Sequence, residues 1–281
     1  MNGLYVIRLG LARGGIEVRQ AFTYLPDMFR YLFSPLVQIL VVFLLRRIHV
    51  SGTTYSVGLL TLPGLVGTTF VFSGAFGVMG LISVDRQDGT LMRAKATPGG
   101  MTAYAIGRTV MSSTESLFGA VITVVVGLVA FPGVHLSVPG GLTLVGVAVL
   151  GLPATIPIGI VLGSLIPNPR YFPLLVLPFA GIELLSGVFY PITHLPGWVQ
   201  AIGQVFPLYW LGLGMRAALL PSHLASLEID GSWRLPYVFL VLALWSVLGL
   251  AAAPPLLRRM ARRESGSRVA ERRERAMLRR T

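Results

Sequence analysis

Cysteine is absent from this 281-residue chain. Disulfides, thiol nucleophiles and cysteine-ligated metals are therefore excluded. Lysine occurs once, at Lys95, and no glycine-rich run precedes it, so the chain carries no phosphate-binding loop of its own. A His-Glu-x-x-His element and a Gly-x-Ser-x-Gly elbow are also missing, which leaves enzyme readings without a site. Charge is scarce: 12% of residues are charged, where soluble domains carry roughly a quarter. The four histidines, His49, His135, His194 and His223, are scattered singly, and no metal site is expected from them. What the chain has in plenty is apolar surface, with 54% of residues hydrophobic. That balance makes lipid the main solvent.

Net charge is +12, which in a soluble protein would point to nucleic acid. Here the basic residues stand between long apolar runs and at the two ends, so anionic headgroups are the expected partner and nucleic acid is not. The dominance of arginine over lysine fits a GC-rich bacterial genome. Arg8, Arg13, Glu17, Arg19, Asp27 and Arg30 interrupt any signal-peptide core, so the N-terminus is expected to be retained and cytoplasmic.

A spanning helix needs ~20 mainly apolar residues. Charge-free stretches punctuated by Pro-Gly breaks place six spans, near 28–46, 59–83, 104–131, 142–166, 171–190 and 235–257. The breaks at Phe131-Pro132-Gly133 and Pro139-Gly140-Gly141 divide a charge-free run too long for one helix. The expected fold is an all-α integral membrane domain over 28–257. An interfacial amphipathic helix (1–27) precedes it and a basic cytoplasmic tail (258–281) follows. In 1–27, Leu4, Ile7, Leu11, Val18, Phe22 and Leu25 recur at steps of three, four or seven, forming one apolar stripe suited to the membrane surface. Between spans five and six, Pro191, Pro196, Pro207 and Pro221 forbid one straight helix and predict short re-entrant helices.

With both termini inside, nineteen basic residues fall on the inner side, including Arg170 and ten arginines after Leu257. Only Arg46, Arg47, Arg216 and Arg234 fall outside. That asymmetry sets the expected orientation: multi-pass in a bacterial plasma membrane, both termini cytoplasmic.

Two segments carry most of the functional signal. Between spans two and three lies a short charged element, Asp85-Arg86-Gln87-Asp88-Gly89-Thr90-Leu91-Met92-Arg93-Ala94-Lys95-Ala96-Thr97-Pro98, interrupted by Gly89 and ended by Pro98. Such a charged loop tip is what a soluble partner could grip. After span five come Ser186-Gly187-Val188-Phe189-Tyr190-Pro191, then Leu195-Pro196-Gly197-Trp198, then Pro207-Leu208-Tyr209 and Arg216. They combine a small-residue kink with an aromatic suited to the outer interface, and they form the candidate outer re-entrant gate.

Two acids stand at membrane depth, Glu115 in span three and Glu183 in span five, and both should face protein or water. Substrate contact or gating is one reading of them, an interhelical hydrogen bond the other. Arg108 stands seven residues before Glu115, nearly on its face but two turns away. Gly159 and Gly163, like Ser73 and Gly77, have the spacing that permits close helix packing, within the chain or across a dimer seam.

At these residues the chain resembles the ABC type-2 permease family, including the daunorubicin-resistance-type exporters. The family's acidic-Arg-x-x-Gly-Thr-Leu pattern with a later Thr-Pro is matched by Asp85, Arg86, Gly89, Thr90, Leu91, Thr97 and Pro98. Its Ser-Gly-x-x-x-Pro, Leu-Pro-x-Trp and Pro-Leu-x-Tyr elements are matched by Ser186, Gly187, Pro191, Leu195, Pro196, Trp198, Pro207 and Leu208, with Tyr209 nearby. Ala94 and Lys95 depart from it, standing where the family more often has apolar residues.

The resemblance implies a permease subunit that pairs with a second such chain, identical or paralogous, and docks two separate ATP-binding subunits at the 85–98 element, with Asp88 and Arg93 included. ATP and magnesium would be bound by those partners; no cofactor is expected in this chain. The expected cargo is amphiphilic or lipid-like, a drug, lipid or polyketide, moved outward. The rival class is an ATPase-independent membrane carrier or a scaffold or immunity protein. A carrier would show repeat symmetry and several intramembrane charges, and here only Glu115 and Glu183 qualify.

Overall fold

A computed structural model describes residues 3–49, 55–165 and 172–263. The loop around Arg170, the expected start of span five at Tyr171 and the basic tail beyond Arg263 lie outside the described residues. Among those described, the chain is helical, with one isolated bridge between His49 and Ser56. In order come α1 (Gly3–Thr23), α2 (Leu25–Leu45), α3 (Val57–Val71), a π-helical stretch (Phe72–Gly77), α4 (Val78–Gln87), α5 (Thr90–Lys95), α6 (Gly100–Ala130) and α7 (Val138–Leu165). There follow α8 (Phe172–Leu185), α9 (Gly197–Val205), α10 (Pro207–Leu219) and α11 (Leu235–Arg263), with short 3-10 turns around α9 and α10.

Among the described residues, four helices are long and apolar enough to cross a membrane: Val57–Gln87, Gly100–Ala130, Val138–Leu165 and Leu235–Leu257. They correspond to expected spans two, three, four and six. Expected span one has a shorter apolar core, Tyr31–Leu45 within α2. Expected span five is α8, whose 14 residues reach only ~21 Å at 1.5 Å per residue. The chain leaves α8 at Gly187, whose φ of +65° is open to glycine at little cost. Between α8 and α11, α9 has 9 residues and α10 has 13, too few to cross a core ~30 Å thick.

The continuous helix formed by α3, the π stretch and α4 is the hub. Of its apolar window 78% is buried inside the chain, against 17% for Leu235–Leu257. Neighbours approach it through positions that lack a side chain. A Cβ on Gly67 would lie 2.9 Å from the Gly212 nitrogen on α10, and one on Gly58 would lie 2.7 Å from the Val42 carbonyl on α2. On α6, Gly119 faces Thr69 and Gly127 faces Leu62. Where no hydrophobic force separates helix from lipid, such close backbone approach supplies the dispersion that holds a bundle together. Gly159 and Gly163 belong to this system: they seat α7 against the Gly74 and Ala75 carbonyls and against Ile82, within the chain.

The π stretch has a local cause for its stability. A π turn breaks the regular ladder, and the Ser112 hydroxyl on α6 donates to the Ser73 carbonyl at 2.8 Å. Phe72 and Phe76 then meet the Phe179 ring of α8 at 5.4 and 4.6 Å, tying α8 to the hub.

In α1 the face packed on the protein is made of small residues. Of the apolar stripe, Leu4, Ile7, Leu11, Phe22 and Leu25 are exposed and Val18 is half-buried, while Val6, Gly10, Gly14 and Ala21 are buried. Gly10 and Gly14 sit against Ile106 and Val110 of α6. The small residues make the seam and the large ones remain on the open side.

Candidate functional site

The charged element splits into a buried root and an exposed tip. α4 ends at Gln87, and Asp88 accepts the Thr90 amide through Oδ1 at 2.8 Å, an Asx turn. Gly89 takes φ +80°, which lets α5 start in a new direction. Leu91 and Ala94 are the buried side of α5, packed with Val78, Ile82, Tyr104, Ile160 and Leu257. The opposite side presents Arg93 and Lys95, followed by Ala96, Thr97 and Pro98, all exposed. Arg93 is steadied by its own helix, donating to the Thr90 hydroxyl at 2.9 Å. Thr97 donates to the Ala94 carbonyl at 3.0 Å and closes the C-terminal end of α5.

Asp85 and Arg86 are not at that tip. They are 4% and 5% exposed and form the root. Arg108 of α6 donates to Asp85 Oδ1 at 2.7 Å and to Glu17 Oε2 of α1 at 2.9 Å. The Tyr104 hydroxyl donates to Asp85 Oδ2 at 2.6 Å. Arg13 donates to Glu17 Oε1 at 3.1 Å and lies over the Tyr104 ring at 5.2 Å. One guanidinium thus bridges two carboxylates on two different helices. Charge-assisted bonds this short are the strong kind, and their donors are fixed in a planar fork. Arg86 reaches the other way, donating to the Gly163 and Ser164 carbonyls at 3.1 and 3.4 Å. Those carbonyls end α7, where a cation also meets the negative end of the helix dipole. The root therefore ties α1, α4, α6 and α7 into one unit, and α5 projects from it.

Arg108 is committed to Asp85 and Glu17; Glu115 lies elsewhere. The Glu115 carboxylate faces the π stretch, with Oε2 3.8 Å from where a Cβ on Gly77 would stand. Glu183 on α8 approaches the hub as well, on the side of Thr68, whose hydroxyl donates to the Gly64 carbonyl of its own helix at 3.3 Å. Both acids thus face protein and converge on the same central helix.

At the opposite end α9 and α10 form a cap over α3. Val188 and Ile192 are fully buried, the Thr61 hydroxyl donates to the Phe189 carbonyl at 3.0 Å, and Gly64 passes beneath the Val188 carbonyl. Ser186 and Pro191 are buried in the same turn, while Leu195 is half-buried and Pro196 exposed. Pro207 starts α10, and Tyr209 is fully buried with its ring edge-on to Trp210 at 5.0 Å. Arg216 closes the cap: Nη1 donates to the Gly187 carbonyl at 2.7 Å and Nε lies 3.1 Å from Glu228 Oε1. Each of those two side chains is 3% exposed. The Nε contact is electrostatic, since Nε is not aligned as a hydrogen-bond donor. Trp198 on α9 is 69% exposed and shares an open apolar side with Ile202 and Val205.

Sequence reasoning did not find Glu17, Tyr104 or Glu228 as members of these clusters. The available signal was that charges at span ends need partners; Glu17 lies 91 positions from Arg108, so spacing could not supply the pairing.

A search of curated proteins returns no match. A family model described as ABC-2 type transporter matches residues 17–220. The matched stretch runs from Glu17 of the root to Leu220, just past the cap's Arg216, and contains both motif segments. On that coverage the chain belongs to the ABC-2 type transporter family and is a membrane permease component.

Proposed function

We propose that this permease works as one half of an ATP-driven exporter in a bacterial plasma membrane. Two separate ATP-binding subunits, carrying ATP and magnesium, dock on its cytoplasmic side, and a second permease chain completes the path. The chain crosses the membrane six times with both termini inside, α2 and α8 serving as the shorter crossings and α9–α10 as a re-entrant outer cap. The cargo is amphiphilic or lipid-like and moves outward.

The observation that carries this reading is the division of the 85–98 element into a rigid root and an exposed tip. A partner that shifts an equilibrium must bind two states differently, and its push must reach the spans. Arg93, Lys95 and Thr97 offer the contact, while Asp85 and Arg86 join it to four helices. The test charge-reverses the tip alone, Arg93→Glu with Lys95→Glu. Like charges set across an interface should reduce copurifying ATPase by roughly tenfold or more, with membrane levels unchanged. Undiminished ATPase copurification and cargo efflux in that variant would remove the tip from the mechanism. If the parent chain brings no ATPase with it, the carrier or scaffold reading takes over.

Orientation has its own test, helped by the natural lack of cysteine. A cysteine at Thr97 should be protected from an impermeant thiol reagent in intact cells, and one at His194 should react. The reverse pattern overturns the topology.

A further inference from the structure

Beside the cap, at the join of α2, α3 and α6, lies an open cavity of about 380 Å³ lined by Arg46, His49, Tyr55, Ser56, Leu59 and Phe131 among others. No carboxylate lines it among the described residues. The charge count at this end is informative. Glu228 and Asp230 are the acids that accompany the cap, and each is taken: Arg216 lies 3.1 Å from Glu228, and Arg234 lies 3.7 Å from Asp230. Arg46 and Arg47 have no acidic partner among the described residues. The Arg46 guanidinium rests over the Phe43 ring at 5.5 Å, at the cavity wall.

Other groups in the cavity favour an anion too. The hub helix begins here, capped by Ser56, whose Oγ accepts the Leu59 amide at 3.2 Å. Its positive dipole end therefore faces the cavity. Tyr55 is held in place by a 2.7 Å hydrogen bond to His223 Nε2. The rest of the setting is apolar. Leu59 and Phe131 form a hydrophobic side, and Phe43 and Phe131 meet at 6.2 Å where α2 and α6 approach. From there Leu40 and Leu44 on α2, and Val125 and Val129 on α6, run down the helices as exposed apolar surface.

We propose that this cavity binds the phosphate of an anionic phospholipid, with the acyl chains lying along the exposed apolar surfaces of α2 and α6. A cationic, hydroxyl-bearing pocket joined to an apolar surface fits a molecule with a charged head and hydrocarbon tails. A free phosphate would use the head site and leave the apolar surface without purpose. The site requires only a membrane and stands independently of the transport reading.

The experiment uses the full chain in bilayers containing a photoactivatable phosphatidylglycerol, with labelled peptides mapped by mass spectrometry. Label should fall on peptides spanning residues 36–60 and 121–133. It should drop roughly fivefold in the Arg46→Gln variant, since Arg46 is the cation in the cavity wall. Arg46→Lys keeps the charge and should retain most of the label, which separates loss of the site from misfolding. Equal labelling by a phosphatidylcholine probe, or label unchanged in the glutamine variant, overturns the proposal. Competition by inorganic phosphate at matched concentration would reassign the cavity to a free anion and also overturn it.

Discussion

Asp85→Ala is expected to cost about 3–5 kcal/mol and to loosen α1 from the bundle, although α1 lies far from position 85 in the chain. The reason lies in how Arg108 is shared. It is 10% exposed at the side chain and holds Asp85 at 2.7 Å and Glu17 at 2.9 Å. Removing Asp85 leaves a buried guanidinium with half its neutralising charge and leaves the Tyr104 hydroxyl without its acceptor. An uncompensated buried cation is among the largest single-site penalties available, and total stabilities are only about 5–15 kcal/mol. Arg108 will be drawn towards Glu17 and solvent, and the seam of Gly10 and Gly14 on Ile106 and Val110 will open. Hydrogen exchange in detergent should show loss of protection across residues 3–21 and in the first turns of α6, with α10 unaffected. Asp85→Asn keeps the shape and one acceptor and should lie between parent and Asp85→Ala. A stability loss under about 1 kcal/mol with α1 still protected would mean that the pair is dispensable.

This prediction also separates two roles that the motif merges. Tip substitutions at Arg93 and Lys95 should weaken docking without changing stability, because those side chains are exposed. Root substitutions at Asp85 and Arg86 should change stability first. A combined replacement of Asp85, Arg86 and Asp88 would mix the two, so its loss of efflux could not be assigned to docking.

The long spans were legible because a bilayer imposes one requirement, sustained apolarity over enough residues, and hydropathy reads it directly. The end of Gly100–Ala130 follows the break at 131–133, whereas Pro139, Gly140 and Gly141 lie in the first turn of Val138–Leu165, where a proline is tolerated, and do not delay its start to 142. Inward faces were not legible by the same rule. In water the large apolar stripe of a helix turns inward; in lipid the tails are as apolar as leucine, so small residues take the seam. Hence α1 buries Gly10 and Gly14 and exposes Leu4 and Leu11. The depth of α10 was hidden for a different reason. Pro207 marked a short re-entrant helix and Arg216 a charge on the outer side, and neither told that Leu208, Tyr209, Leu211, Leu213 and Met215 are almost wholly buried. Its charge can lie inside because Glu228 lies inside with it, and a window average cannot see a pair made by separate segments. The same holds at the root, where Asp85 and Arg86 read as loop charges but find partners on α1, α6 and α7.

The cap offers the second large effect. Glu228→Ala is expected to destabilise by about 3–5 kcal/mol, because Arg216 would remain buried without a counter-charge. Its Nη1 would still hold the Gly187 carbonyl at 2.7 Å, and that neutral acceptor cannot balance a full charge. Arg216→Met should cost somewhat less, since a carboxyl group can be neutralised by a proton whereas a guanidinium cannot lose one. The decisive variant is the double replacement Arg216→Met, Glu228→Leu. Apolar groups of similar volume can replace a buried ion pair at little cost, so most of the loss should be recovered. Recovery should stop short of the parent by about 1–3 kcal/mol, because the Gly187 carbonyl loses its donor. Thermal unfolding of the parent, Arg216→Met, Glu228→Leu and the double variant gives the double-mutant cycle directly, and a strongly favourable coupling energy is the expected outcome. Additive losses would show that Arg216 and Glu228 act separately, and the cap would then rest on the Val188 and Ile192 packing and the Thr61–Phe189 hydrogen bond alone. If the pair is confirmed, the stable double variant becomes a tool for transport. It keeps the fold while removing the electrostatic hold on the Gly187 turn, so a gate closed by that hold should leak cargo in the absence of ATP.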